Sequence, residues 1–330
     1  MAGIVLGVGS SHSPMLNATL EEWTRFAPRD PTLRYFDRDG APIGYEALLE
    51  RAAGRFDGEC TRERFAERLR EAHAALDRLA GEIGRARLDA LVIVGDDQKE
   101  LFLDDNVPAL LVYHGPTIAH RQRPAKPEWV DWFAAIQSRY YAESGSIHFP
   151  VDAALARHIV GHLVAHEFDV SASDRLPRDE GEGHAFAFVH RRLLQALPQL
   201  PVVPVFLNTY YPPNQPTPKR CYAIGRALRA AVESYPSPAR VGVLASGGLS
   251  HFVVDEAFDR SIVAALRDKD AAALTTLPAQ RLVSGSSEIR NWIAAAGALE
   301  HLPLAWAEYV PAYRSPAGTG TGLCFAAWRD

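Results

Sequence analysis

Histidines are unusually placed in this 330-residue chain: His12, His114, His184 and His251 each follow an apolar run or a glycine-bearing stretch. Imidazoles delivered at such points suit acid–base and metal chemistry, because the ring titrates near neutral pH and its nitrogens bind divalent transition metals. The first of them ends the run Ile4-Val5-Leu6-Gly7-Val8-Gly9-Ser10-Ser11-His12-Ser13-Pro14. That pattern reads as a buried strand carrying an imidazole to the mouth of a sheet, where open α/β sheets hold ligands. The acid to set beside it is Glu288, in Ser284-Gly285-Ser286-Ser287-Glu288-Ile289-Arg290-Asn291-Trp292. Serines before it and a helical pattern after it put the carboxylate in a first turn, where the helix dipole favours its charge. One carboxylate with histidines from separate strand ends makes a facial Fe(II) site with positions left open for substrate and oxygen.

Other chemistries lack their residues. Gly247-Gly248-Leu249-Ser250-His251 is the nearest approach to a serine-hydrolase elbow and does not have its spacing. Gly7-Val8-Gly9 has only half of a dinucleotide fingerprint, and no phosphate loop of the Lys-Ser/Thr type occurs. His158, His162 and His166 recur at four-residue steps on one helical face, but Ile159 stands where a zinc-protease helix would place glutamate. One inward imidazole and two solvated ones are expected there. A net charge of −5 offers no basic face for nucleic acid. Three scattered cysteines suggest neither a disulfide framework nor a zinc knuckle, and fit a reducing compartment. With no signal-like start and no membrane-length apolar stretch, a cytoplasmic protein without membrane contact is expected.

These residues need elements to position them. Short apolar runs at 4–9, 89–94, 109–113, 168–171, 202–207, 241–245 and 322–328 read as strands. Helical periodicity covers 61–87, 129–141, 152–167, 220–234, 255–267 and 288–298. Residues 174–182 read as a charged loop. The alternation predicts a single α/β domain over 1–330 with a mostly parallel or mixed central sheet flanked by helices. Residues 17–60 carry no sustained period and are expected to form a lid-like insertion. On that reading, deleting 25–55 cripples substrate affinity and leaves the fold intact.

The motifs Ser11-His12-Ser13-Pro14, Arg157-His158-Ile159, Gly183-His184, Arg220-Cys221-Tyr222-Ala223-Ile224-Gly225, Gly247-Gly248-Leu249-Ser250-His251 and Glu288-Ile289-Arg290-Asn291-Trp292 together resemble the class III extradiol ring-cleavage dioxygenases. These are the LigB-type superfamily of protocatechuate 4,5-dioxygenase catalytic subunits, gallate dioxygenases and 3-O-methylgallate dioxygenases. The resemblance implies cleavage of a catechol- or gallate-type phenolic substrate with O2 at Fe(II), in a homo-oligomer. It places His12 and Glu288 among the metal ligands, His184 as the acid/base histidine and His158 as a further active-site histidine. The second ligand histidine of the family falls on Gln98, a weaker donor than imidazole, with Asp96, Asp97 and His114 as available helpers. Tyr210, Tyr211, Ser250, His251, Arg290, Tyr313 and Thr319 are candidates for substrate contact. Two other readings use the same scaffold: a metal-dependent hydrolase or non-oxidative carbon–carbon bond-cleaving enzyme, and a non-catalytic binder of phenolic ligands.

Overall fold

The architecture is that of a computed structural model, which describes residues 1–178 and 180–330; Asp179, in the loop expected at 174–182, lies outside them. Nine strands form one mixed sheet. Its centre is parallel: Gly3–Ser10 pairs with Arg240–Ser246, that strand with Ala90–Gly95, and that in turn with Val202–Leu207. Because they run in the same direction, these strands present their carboxyl ends at one edge. The segments that leave that edge carry His12, Gly247-Gly248, Asp96 to Gln98 and Asn208 to Tyr211.

Antiparallel strands complete both flanks. Thr319–Trp328 lies beside Gly3–Ser10 and pairs with Leu304–Tyr313 and His251–Val253, while Leu110–Tyr113 pairs antiparallel with Val202–Leu207. The hairpin strand 304–313 has no counterpart among the expected elements. Its first half is half-exposed and Pro311 interrupts its pattern, so the period-2 signal is weak. The expected strand at 168–171 forms at Ser171–Ser173 instead.

Side chains alternate across the sheet. Val92, Val94, Val203, Val205, Val241 and Val243 enter a core covered by the helices Pro218–Glu233 and Ile289–Ala298. Leu6, Val8, Leu91, Ile93 and Leu244 enter a second core with the helix Arg62–Ala86. That helix begins on Thr61, whose hydroxyl accepts the Arg64 N–H at 3.3 Å, and ends at Arg87 in the left-handed region. The glycines of the first strand have a packing role: a Cβ on Gly9 would lie 2.3 Å from the Trp292 ring, and one on Gly7 2.2 Å from Leu299. They let the strand approach the helix Ile289–Ala298, which follows directly on Glu288.

Residues 17–60 are folded rather than irregular. They contain the helices Leu20–Trp23, Phe26–Arg29 and Tyr45–Ala52 and bury Trp23, Phe26 and Tyr35. No helix among the described residues is long and apolar enough to cross a membrane.

Candidate active site

At the carboxyl edge of the parallel strands a cavity of about 430 Å³ opens. His12 Nε2 stands 3.5 Å from Glu288 Oε2, although the residues are far apart in the chain. Asp96, which directly follows the strand Ala90–Gly95, completes a buried group of three whose donor atoms lie within 4.8 Å of one another. The His12 Nδ1 side is engaged by the Ser246 hydroxyl at 2.9 Å, whereas Nε2 is buried without a hydrogen-bond partner. An orphaned imidazole nitrogen facing two carboxylates fits a divalent cation, which would supply the missing partner and offset two buried negative charges.

The rest of the group is tightly held. Gly248 N–H donates to Glu288 Oε2 at 2.7 Å, and the Asn291 amide donates to Asp96 Oδ1 at 3.1 Å. Burial, and then the nearby Glu288 charge, push the Asp96 carboxyl above its usual range. Burial acts on Glu288 in the same sense, but His251 and His12 outweigh it and hold that carboxyl well below the usual range. One of the two acids is thus the stronger, as expected for like charges sharing a dry site.

Gln98 lines the cavity but does not offer its carbonyl to this group. Its amide nitrogen donates to Glu288 Oε1 at 2.9 Å and to Asp96 Oδ2 at 3.2 Å, bridging the two acids. In this arrangement the oxygen that joins His12 and Glu288 is that of Asp96, and the Gln98 carbonyl faces away from the group. Asp97 accepts the backbone N–H groups of Glu100, Leu101 and Phe102, which shapes the turn carrying Gln98 and Glu100.

His184 lies edge-on to His12, with ring centroids 4.7 Å apart. Its Nδ1 is 2.6 Å from Glu100 Oε2, and its backbone N–H also donates to that carboxylate. Tyr141 O–H donates to Glu100 Oε1 at 3.1 Å. Glu100 is a site residue that sequence reasoning missed; the available signal was its place two residues beyond Gln98 in a strand-end loop. His251 borders the cavity as expected, with Nε2 3.3 Å from Glu288 Oε1 and Nδ1 donating to Leu249 O at 2.8 Å. Tyr210 and Tyr211 also line it.

Several expected residues lie elsewhere. His158 sits on the helix Ala153–Ala165, 3.0 Å from Ser234 Oγ and away from the cavity. His162 faces the same hydroxyl at 3.3 Å and His166 is exposed, so none of that stripe enters the site. Arg290 is buried and spends its guanidinium on the carbonyls of Pro216, Thr209 and Leu282. A substrate carboxylate has no access to it. Ser250 donates to Asp259 at 2.6 Å and accepts from the Asp255 N–H, a structural role. Tyr313 donates to Glu256 and Thr319 to Asp30, and His114 does not line the cavity.

Residues 114–323, more than half of the chain, match the family described as the catalytic LigB subunit of aromatic ring-opening dioxygenase. The chain belongs to this family. The LigB match begins after His12 and Asp96, so the parts of the cavity cluster on those two residues come from outside the matched region. Among relatives, gallate dioxygenase of Pseudomonas putida is 42% identical over 106 residues, 32% of this chain and 30% of that protein. A 2,3-dihydroxyphenylpropionate/2,3-dihydroxicinnamic acid 1,2-dioxygenase of Paraburkholderia xenovorans is 30% identical over 158 residues, 44% of this chain and 47% of that protein. The matched segments thus span less than half the length of these relatives. A solved structure of an uncharacterized protein from Escherichia coli K12 aligns over 98% of this chain and 99% of its own, at 12% identity and a TM-score of 0.45.

Proposed function

We propose that this chain opens the ring of a catechol- or gallate-type phenol with O2, using Fe(II) held by His12, Asp96 and Glu288. The observation that carries this reading is the partnerless His12 Nε2 directed at two buried carboxylates, in a chain of the LigB family. When bound, the metal supplies a route for electrons between the diol and O2. The balance needs no other reductant: the bond beside the diol breaks, O2 is reduced by the substrate, and both of its oxygen atoms enter the product.

The protein's own groups handle protons and position. Glu100 holds His184 through Nδ1, which leaves Nε2 as the nitrogen facing the substrate; the carboxylate keeps the ring protonated near neutral pH, so it gives a proton to the opened product and is restored by one from the next substrate hydroxyl. Phe26, Phe133 and Trp129 give the cavity aromatic walls that bury a ring and exclude water. Residues 17–60 act as the cover, contributing Phe26, Arg29, Leu33, Arg34 and Phe36 to the lining. Arg29 lies over the Phe133 ring at 3.9 Å, and with the exposed Arg34 and Lys126 it adds cationic side chains to the lining. A diol bearing an anionic substituent matches that polarity.

The test is O2 uptake by the Fe(II)-loaded protein across a panel of catechols with and without a carboxylate. Uptake matched one-to-one by a visible-absorbing ring-opened product is expected, fastest for the carboxylated members. A second reading, hydrolytic or non-oxidative cleavage, is favoured by the oxygen-rich donor set, in which Asp96 joins Glu288 and glutamine stands at position 98, where the resemblance expects an imidazole. Turnover under argon at the aerobic rate decides for that reading and against the first.

A further inference from the structure

Away from this cavity a second set of ligand-type side chains converges. His120 on the strand Thr117–Arg121, Glu182 just before His184, and His190 in the π-helical turn Val189–Leu193 are all buried. Both imidazoles bring Nδ1 to the same carboxylate oxygen: His120 Nδ1 is 2.6 Å and His190 Nδ1 2.8 Å from Glu182 Oε1. Glu182 Oε2 is 3.0 Å from His190 Nδ1. We propose that His120, Glu182 and His190 form a structural site for a divalent transition metal of the zinc class, separate from the catalytic centre.

Three observations support it. Two imidazoles and a carboxylate suit zinc-like ions and not calcium or magnesium, which take oxygen donors. Donor atoms sharing one such ion at bonds of about 2.1 Å stand about 3.0–3.4 Å apart, so the contacts at 2.6 and 2.8 Å would open by less than about 1 Å, within reach of side-chain rotation. Two ring nitrogens converge on one oxygen with the second oxygen beside them, so an ion entering between them would find a closed set of four donors. Place gives the site its purpose. The ribbon formed by Thr117–Arg121 and Ser146–Pro150 is two-stranded and separate from the main sheet, an arrangement of marginal stability by itself. A metal at this point ties the ribbon to the main body through His190 and to the segment leading into His184 through Glu182.

The rival arrangement is a metal-free clamp, in which both Nδ1–H groups donate to Glu182. Full-length protein stripped with a chelator and reloaded with Zn(II) alone separates the two. A variant with the catalytic centre disabled, His12→Asn with Glu288→Gln, should retain one equivalent of Zn(II) and show a thermal midpoint that rises on adding the metal. Adding Glu182→Gln to that background should remove the equivalent. Absence of Zn(II) from the first variant, or retention in the second, overturns the proposal in favour of the clamp. Should the Glu182→Gln chain not fold, Co(II) loading of the first variant decides: ligand-field bands of a four-coordinate nitrogen and oxygen site are expected, and their absence overturns the proposal. Metal at the catalytic centre is read separately in Glu182→Gln alone, so either site can fail without the other.

Discussion

Ser246 dictates which nitrogen of His12 carries the proton. The serine hydroxyl has a single hydrogen and stands 2.7 Å from the carbonyl of Ala185, an acceptor only. Toward His12 Nδ1, 2.9 Å away, Ser246 must then accept, so Nδ1 holds a proton and Nε2 is the nitrogen left free to meet a cation beside Asp96 and Glu288. Ser246 lies at the end of a neighbouring strand, in register with Ser10, so the sheet itself sets this contact.

Ser246→Ala should therefore weaken metal binding by about 10- to 100-fold, the usual cost of losing an outer partner of a ligand histidine. Competition with a chromophoric chelator measures it. An unchanged affinity would show that the hydroxyl does not orient the ring.

Asp96 and Gln98 are two residues apart and should respond in opposite ways. Asp96→Asn removes a charged donor and is expected to lower bound metal at least tenfold. Gln98→Ala removes only the amide bridge between two acids, so metal content should persist while the metal-free chain loses about 1 kcal/mol. Elemental analysis and urea unfolding of both variants check this, and metal loss in Gln98→Ala would restore glutamine as a ligand. Gln98→His adds an imidazole next to the acids and should raise metal retention.

The Glu100–His184 pair sets a pH window in the metal-free protein. Burial disfavours the imidazolium, but the Glu100 carboxylate outweighs it and raises His184 from 6.5 to about 9. Burial would raise Glu100 too, yet contact with His184 lowers it from 4.5 to about 2. The histidine's contribution to stability is complete below pH 6.5 and disappears as pH rises through about 9; the glutamate's is complete above pH 4.5 and disappears as pH falls toward 2. Wild type should exceed Glu100→Gln in thermal midpoint most between these limits and converge with it at alkaline pH. A gap that stays constant from pH 6 to 10 would contradict the ion pair.

Asp30 anchors the cover to the body. It is fully buried and bound by Arg314, with Nη2 2.8 Å from Oδ1 and Nε 3.0 Å from Oδ2. Asp30→Ala leaves a buried guanidinium without its counter-charge and should cost about 3–5 kcal/mol in urea unfolding. For the same reason, deleting 25–55 is expected to destabilise the whole domain, contrary to the expectation of an intact fold. A deletion variant that melts like wild type would show that the cover is independent.

Specificity should reside partly in Arg29. Arg29→Ala is expected to raise KM about tenfold for catechols bearing a carboxylate and to leave uncharged catechols nearly unaffected. Equal changes for both classes would remove the anion-binding role.

From the sequence alone came the features encoded locally. Apolar runs closing on polar residues marked the parallel strands and the edge where His12 stands, and three- to four-residue periodicity marked the helices within a few residues of their ends. Pairing His12 with Glu288 was legible because both lie at strand or helix ends bearing recognisable motifs. What the tertiary structure alone decided depends on direction and distance across the sheet. Gln98 was a plausible ligand by position, but the turn held by Asp97 faces its amide nitrogen to the acids and brings in Asp96. His158, His162 and His166 share a helical face, yet that face meets Ser234 rather than the cavity, and Arg290 follows Glu288 in sequence while turning toward backbone carbonyls. Periodicity records that a side chain is buried or exposed, not which partner it meets. Metal ligands and proton carriers are defined by those partners, and here they come together only when strands remote in sequence lie side by side.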